Sequence, residues 1–103
     1  MAEVYKVLFQ GEVGTASAAL YTVPSSTEAI IKHIDVVCTT GDTLELWIGG
    51  SDNTKIILPK VTFGTGEFAQ WDGTEALEAA QTINGDATTV NRMTVTISGL
   101  EIT

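Results

Sequence analysis

Short β-type runs, each closed by a turn signal, recur along this chain from one end to the other, and that recurrence limits its fold more than any other feature. The runs are YKVLFQ (5 to 10), AALYTV (18 to 23), EAIIKHIDVVC (28 to 38), TLELWI (43 to 48), TKIIL (54 to 58), EFAQW (67 to 71) and NRMTVTISGLEIT (91 to 103). Strands of this length, bounded by Gly, Pro, Asn and Asp and rich in β-branched and aromatic residues, are what a sandwich or barrel requires. The segment TEALEAAQTI (74 to 83) fits a bent strand or a short helix, since Leu77, Ala80 and Ile83 suit either. It is too short for a helix that stands alone, and we read it as strand. About eight strands with no crossover helix predict an all-β fold, a single antiparallel β-sandwich of jelly-roll or Greek-key type over residues 1 to 103.

Alternation assigns faces to these strands. Tyr5, Val7 and Phe9 are expected on the buried side of the first strand, opposite Lys6, Leu8 and Gln10. In the third, Ile30, Ile34, Val36 and Cys38 share one face, and Ile31, His33, Asp35 and Val37 the other. Leu44, Leu46 and Ile48 take the core in the fourth strand, which sends Trp47 to the polar side. Pro59 marks a strand end or an edge position, with residues 60 to 63 as a possible continuation. Asp72-Gly73 reads as a turn and NGDATT (84 to 89) as a loop. In the last run, Met93, Val95 and Ile97 are in phase while Leu100 and Ile102 are not, so a one-residue bulge at Ser98-Gly99 is expected. VLFQG (7 to 11) resembles the cleavage site of a picornaviral protease, but Glu12 stands where the engineered site carries proline, and the alternation is that of a native strand.

Composition excludes several function classes. The chain has 103 residues, 44% hydrophobic and 17% charged, which suits a folded domain. Thirteen acidic residues against five basic ones give a net charge of -8, which leaves no basic groove for nucleic acid or anionic membrane. A single cysteine, Cys38, cannot form an internal disulfide and is read as a buried, inert thiol. No apolar run reaches the length of a membrane span, and the expectation is synthesis in a reducing cytoplasm.

Candidate sites are few. His33 and Asp35 lie two apart on one strand face, where the carboxylate could orient the imidazole, but no signature identifies a nucleophile. One His and one Cys make no zinc set, and the loops GSDNT and NGDATT lack the spaced carboxylates of a calcium site, so no metal or cofactor is expected. The candidate contacts of a protein interface are Val4, Lys6 and Leu8 on the N-terminal strand (residues 1 to 12, read as an arm available for assembly) and the aromatics Trp47, Phe68 and Trp71.

Five landmarks occur in a fixed order: the Gln10-Gly11 after the first strand, LYTVP (20 to 24), AIIKHI (29 to 34), WIGG (47 to 50) and the terminal SGLEIT (98 to 103). In that order the chain resembles a family of small β-sandwich virion proteins of tailed bacteriophages and prophages. The resemblance implies a structural protein with no catalytic residues, placed in the virion after synthesis in the host cytoplasm. Its expected partners are the major capsid protein or other virion proteins, and further copies of itself, with trimers among the expected states. Capsid decoration is the first expectation. A tail, baseplate or fibre location is the second, and a carbohydrate-binding module that stacks sugars on Trp47, Trp71 and Phe68 is the third.

Overall fold

A computed structural model describes residues 3–15, 18–48, 56–88 and 93–103. Its strands are β1 (Glu3–Glu12), β2 (Ala18–Thr22), β3 (Glu28–Cys38), β4 (Asp42–Ile48), β5 (Ile56–Phe63), β6 (Phe68–Leu77), β7 (Thr82–Ala87) and β8 (Met93–Ile102). They form two four-stranded antiparallel sheets, one in the order β1-β8-β3-β6 and the other in the order β2-β7-β4-β5. Consecutive strands that alternate between two facing sheets, save the β4-β5 hairpin, in this order make a jelly roll. The core between the sheets holds Ala29, Ile31, Ile34, Val36, Cys38, Leu77, Met93, Val95 and Ile97 from the first and Tyr21, Leu44, Leu46, Phe63, Ile83 and Ala87 from the second.

Several local expectations are corrected. β8 runs in regular alternation, with Met93, Val95, Ile97 and Gly99 all turned inward and buried, so it carries no bulge at Ser98-Gly99. The extra residues sit in its two neighbours at the same level. Register shifts between Val7 and Phe9 in β1 and between Ile31 and His33 in β3, which leaves Leu8 and Lys32 as the additional residues. Gly99 is needed for close approach, because a Cβ there would collide with the carbonyl oxygen of Ile30. The shift at Lys32 changes phase within β3, so that Ala29 and Ile31 point inward together with Ile34, Val36 and Cys38, while Ile30 is only half-buried on the outside.

Asp72-Gly73 is no hairpin turn. β6 runs through it, and Gly73 and Thr74 absorb the irregularity opposite Lys32. The segment from 74 to 83 is strand, turn and strand: β6 ends at Leu77, a turn bonded from Gln81 N–H to the Glu78 carbonyl follows, and β7 starts at Thr82. Part of the expected NGDATT loop lies within β7, where Gly85 is buried in contact distance of the Leu46 and Leu20 side chains. β5 passes through Pro59 to Phe63, a proline tolerated because β5 is an edge strand. The GGSDN turn lies outside the described residues.

Two polar ties hold the sheets in register. At one corner the Val13 N–H donates to the Met93 carbonyl, and the Ala87 N–H donates to the carbonyl of Gly14, which joins the chain leaving β1 to β7. At the other end the Tyr21 hydroxyl of β2 donates to Glu101 Oε2 of β8 at 2.5 Å, and Lys6 of β1 pairs with Glu101 Oε1 at 2.7 Å. Lys6, and then Tyr21, hold the Glu101 carboxyl below the usual carboxylate range. Burial, and then the carboxylate itself, push the Tyr21 hydroxyl well above its ordinary value of 10.

Two stability outcomes follow from this packing. Gly99→Ala is expected to cost about 2 to 3 kcal/mol through backbone collision, read as a lower urea midpoint at unchanged slope. Gly14→Ala, where an added Cβ meets nothing within 4 Å, serves as the control and should stay within about 0.5 kcal/mol. Tyr21→Phe removes the donor to Glu101 and should lower stability by about 1 to 2 kcal/mol in the same experiment.

Candidate functional site

Alternation and register build the outer face of the β1-β8-β3-β6 sheet row by row, since residues paired across antiparallel strands share a side. At one end Glu3, Ile102 and Glu28 lie in register, and next to them Tyr5, Leu100, Ile30 and Ala76 form an apolar row across all four strands. The following rows are Val7, Ser98, His33 and Asp72, then Gln10, Thr96, Asp35 and Gln70. Glu12, Thr94, Val37 and Phe68 complete the face. A polar band therefore separates two exposed apolar ends. At one end Tyr5 and Val7 are 61% and 53% exposed, and at the other Val37 and Phe68 are 45% and 70% exposed.

His33 occupies the middle of the polar band. Its Nδ1 lies 2.5 Å from Asp72 Oδ1 and its Nε2 lies 2.8 Å from Asp35 Oδ1. The bulge puts Asp72 opposite His33, and Lys32, the extra residue, donates from Nζ to Thr74 Oγ1 at 2.9 Å. Two carboxylates on the two ring nitrogens favour the imidazolium, which donates to both. Asp72 first and Asp35 second raise the His33 pKa above its ordinary 6.5. With both nitrogens engaged, neither is free to take a proton from a nucleophile, and the arrangement is that of a surface ion cluster.

The six interface candidates are dispersed. Phe68 is exposed on the outer face, while Trp71, three residues on, faces inward and packs partly buried against the core. Trp47 is corrected: it lies on the opposite side of β4 from Leu44 and Leu46, as alternation requires, but only 5% of it is exposed, so it presents no contact surface. The three aromatics thus share no platform for a sugar. Val4 is 52% exposed at the end of the inward row, and Lys6, next in that row, is tied to Glu101. Leu8, the bulged residue, turns to the core beside Phe9. Tyr5 and Val7, which alternation assigns to the buried side with Phe9, are exposed because the bulge inverts phase between Val7 and Phe9. Asp72 also escapes sequence reading, since the Asp-Gly pair signals a turn and its partner lies 39 residues away.

On the other sheet Glu45 stands directly across from Asp86, near Thr15, Thr43 and Thr88. No group of three or more His, Cys, Asp or Glu side chains placed to hold a metal ion occurs among the described residues. Cys38 is a buried free thiol. No described helix is long and apolar enough to cross a membrane. No protein-family profile matches the chain, and no curated protein matches it.

A raised His33 pKa contributes stability that is fully present below the unfolded value of 6.5 and is lost as pH rises through the folded value. Unfolding midpoints should therefore fall as pH rises above about 6.5, and His33→Gln should remove that component. The NMR titration of the imidazole should show a midpoint above 6.5 in the wild type, moving down in Asp72→Asn.

Proposed function

We propose that this jelly roll is a structural protein of a tailed-phage particle, a capsid decoration protein that binds the assembled head and stabilises it without chemistry. The observation that carries the reading is the exposed apolar stretch of β1, a free edge strand with Val4, Tyr5 and Val7 each more than half exposed. Edge strands of soluble monomers are normally blunted, and an apolar edge left open favours pairing with another chain. Jelly rolls serve capsids and lectins alike, so fold by itself assigns no role. The landmark order from LYTVP to SGLEIT adds the resemblance to phage virion proteins.

In this reading the partners are the major capsid protein or another virion protein, together with further copies of the chain. Attachment at many equivalent positions gives avidity to contacts that are individually weak. A net charge of -8 keeps the unassembled protein soluble.

Electron microscopy of particles labelled with gold-tagged antibody to the chain tests the reading. Gold distributed over the head is the expected result, and particles lacking the protein should then release DNA at a lower temperature. Gold confined to the tail would replace decoration by a tail or baseplate role, and unlabelled particles would overturn the virion assignment.

A further inference from the structure

The N-terminal half of β1 carries apolar residues on both sides, beside the charged Glu3 and Lys6, and none of them is buried. Val4 lies on the inward side and Tyr5 and Val7 on the outward side, yet all three are exposed. A strand with one solvated side alternates apolar and polar residues, whereas apolar residues on both sides characterise a strand paired and covered in a sheet interior. Among the described strands, β1 has a neighbour, β8, on one edge only. Glu3 to Val7 stay in unbroken register with Ser98 to Ile102, so this stretch is a straight template. The apolar surface continues from Tyr5 through Leu100 to Ile30.

The rim of this surface is acidic. Glu3 and Glu28 flank Ile102 at one border and make no ion pair among the described residues. Of the nearby cationic groups, Lys6 is engaged by Glu101, His33 by Asp35 and Asp72, and Lys32 by the Thr74 hydroxyl. What remains for an occupant is an apolar strip with uncompensated carboxylates at its end.

We propose that this face docks a different protein through an apolar β-strand flanked by lysine or arginine. The strand adds to the free edge of β1, sets its outward side chains beside Tyr5 and Val7, and brings its basic end to Glu3, with the residues beyond that end turning across Ile102 toward Glu28. This inference rests on reading the face as an assembly surface and specifies the chemistry of its occupant. A second copy fits less well: paired antiparallel through β1 it sets its own Glu3 beside Val7 and, its Lys6 being tied to Glu101, offers no free cation to either rim, from a chain with thirteen acidic and five basic residues.

The test places a photo-crosslinking benzoylphenylalanine at Tyr5, and at the exposed Thr22 of the other sheet as control, in the full chain expressed in cells producing the phage that encodes it. Crosslinked peptides are identified by mass spectrometry, and the same particles are scored for the protein by gold labelling. The expected product joins Tyr5, but not position 22, to an apolar strand of another protein with Lys or Arg within a few residues. The double variant Glu3→Lys/Glu28→Lys should reduce its yield by roughly 2- to 30-fold, the loss of two exposed charge contacts, with an unchanged circular dichroism spectrum.

Crosslinking to the same chain, or to a segment without basic flanks, overturns the inference. So does labelled particles with no Tyr5 product, an outcome that leaves the virion reading standing. A Tyr5 product with a basic-flanked strand from unlabelled particles supports the inference and overturns the virion reading instead, and absence of both product and label overturns both.

Discussion

Close approach of two backbones at Gly99 is the constraint on which this sheet depends. β8 runs straight through the level of Ser98 while β1 and β3, on either side, each insert a residue there. Only a residue without Cβ allows the Ile30–Ile31 backbone to come so near. The insertions rotate the alternation of both neighbours. Ile31 and Ile34 consequently both enter the core, Leu8 and Phe9 both turn toward it, and the residues before Leu8 reverse their facing. The same shift carries into β6, where Gly73 and Thr74 take up the slack and Asp72 comes to stand opposite His33. The buried core, the ion cluster and the exposed apolar strand are three consequences of one local displacement.

Beyond that level polar groups join the apolar packing of Ala29 and Leu77 between the sheets. Glu101 occupies an inward position on β8, where a carboxylate is costly unless it is satisfied. Lys6 and Tyr21 satisfy it from two directions, one from the edge strand of its own sheet and one from β2 opposite. The tie spans three strands and both sheets. It fixes the β1 stretch from Glu3 to Val7 against β8 although almost none of that stretch is buried, so the open edge is held as a defined strand.

Much of the fold was legible from period and turn chemistry. The run EAIIKHIDVVC (28 to 38) coincides with β3, and Leu44 and Leu46 are recognisable as core by strict alternation. Where alternation failed, it failed at bulges, because a period of two carries no record of an inserted residue in the neighbouring strand. Gly99 did signal an irregularity. The physics allows two readings of a strand glycine, a bulge at that residue or an approach by another backbone, and the second holds here. Asp72-Gly73 misled for a related reason, since Asp-Gly scores as a hairpin turn unless a long-range partner keeps the strand extended. Trp47 shows a further limit: its side of β4 was readable, but whether anything covers that side is a tertiary fact.

The exposed end of β1 also bears on the stability of so small a domain. A chain of about 100 residues buries roughly 60 to 65% of its potential surface, and each large apolar side chain fully buried contributes about 1.5 to 3 kcal/mol. Selection for monomer stability alone would turn Tyr5 and Val7 inward or replace them with polar residues. Neither has happened: the Leu8 bulge directs them outward while Lys6, between them, is spent on an internal tie. If another chain pairs with this strand as proposed, it adds apolar burial to an edge bordered by Glu3 and Glu28, and charge selects which chains approach. In the proposed docking, the same residues that leave the isolated domain short of apolar burial supply both the driving force and the discrimination.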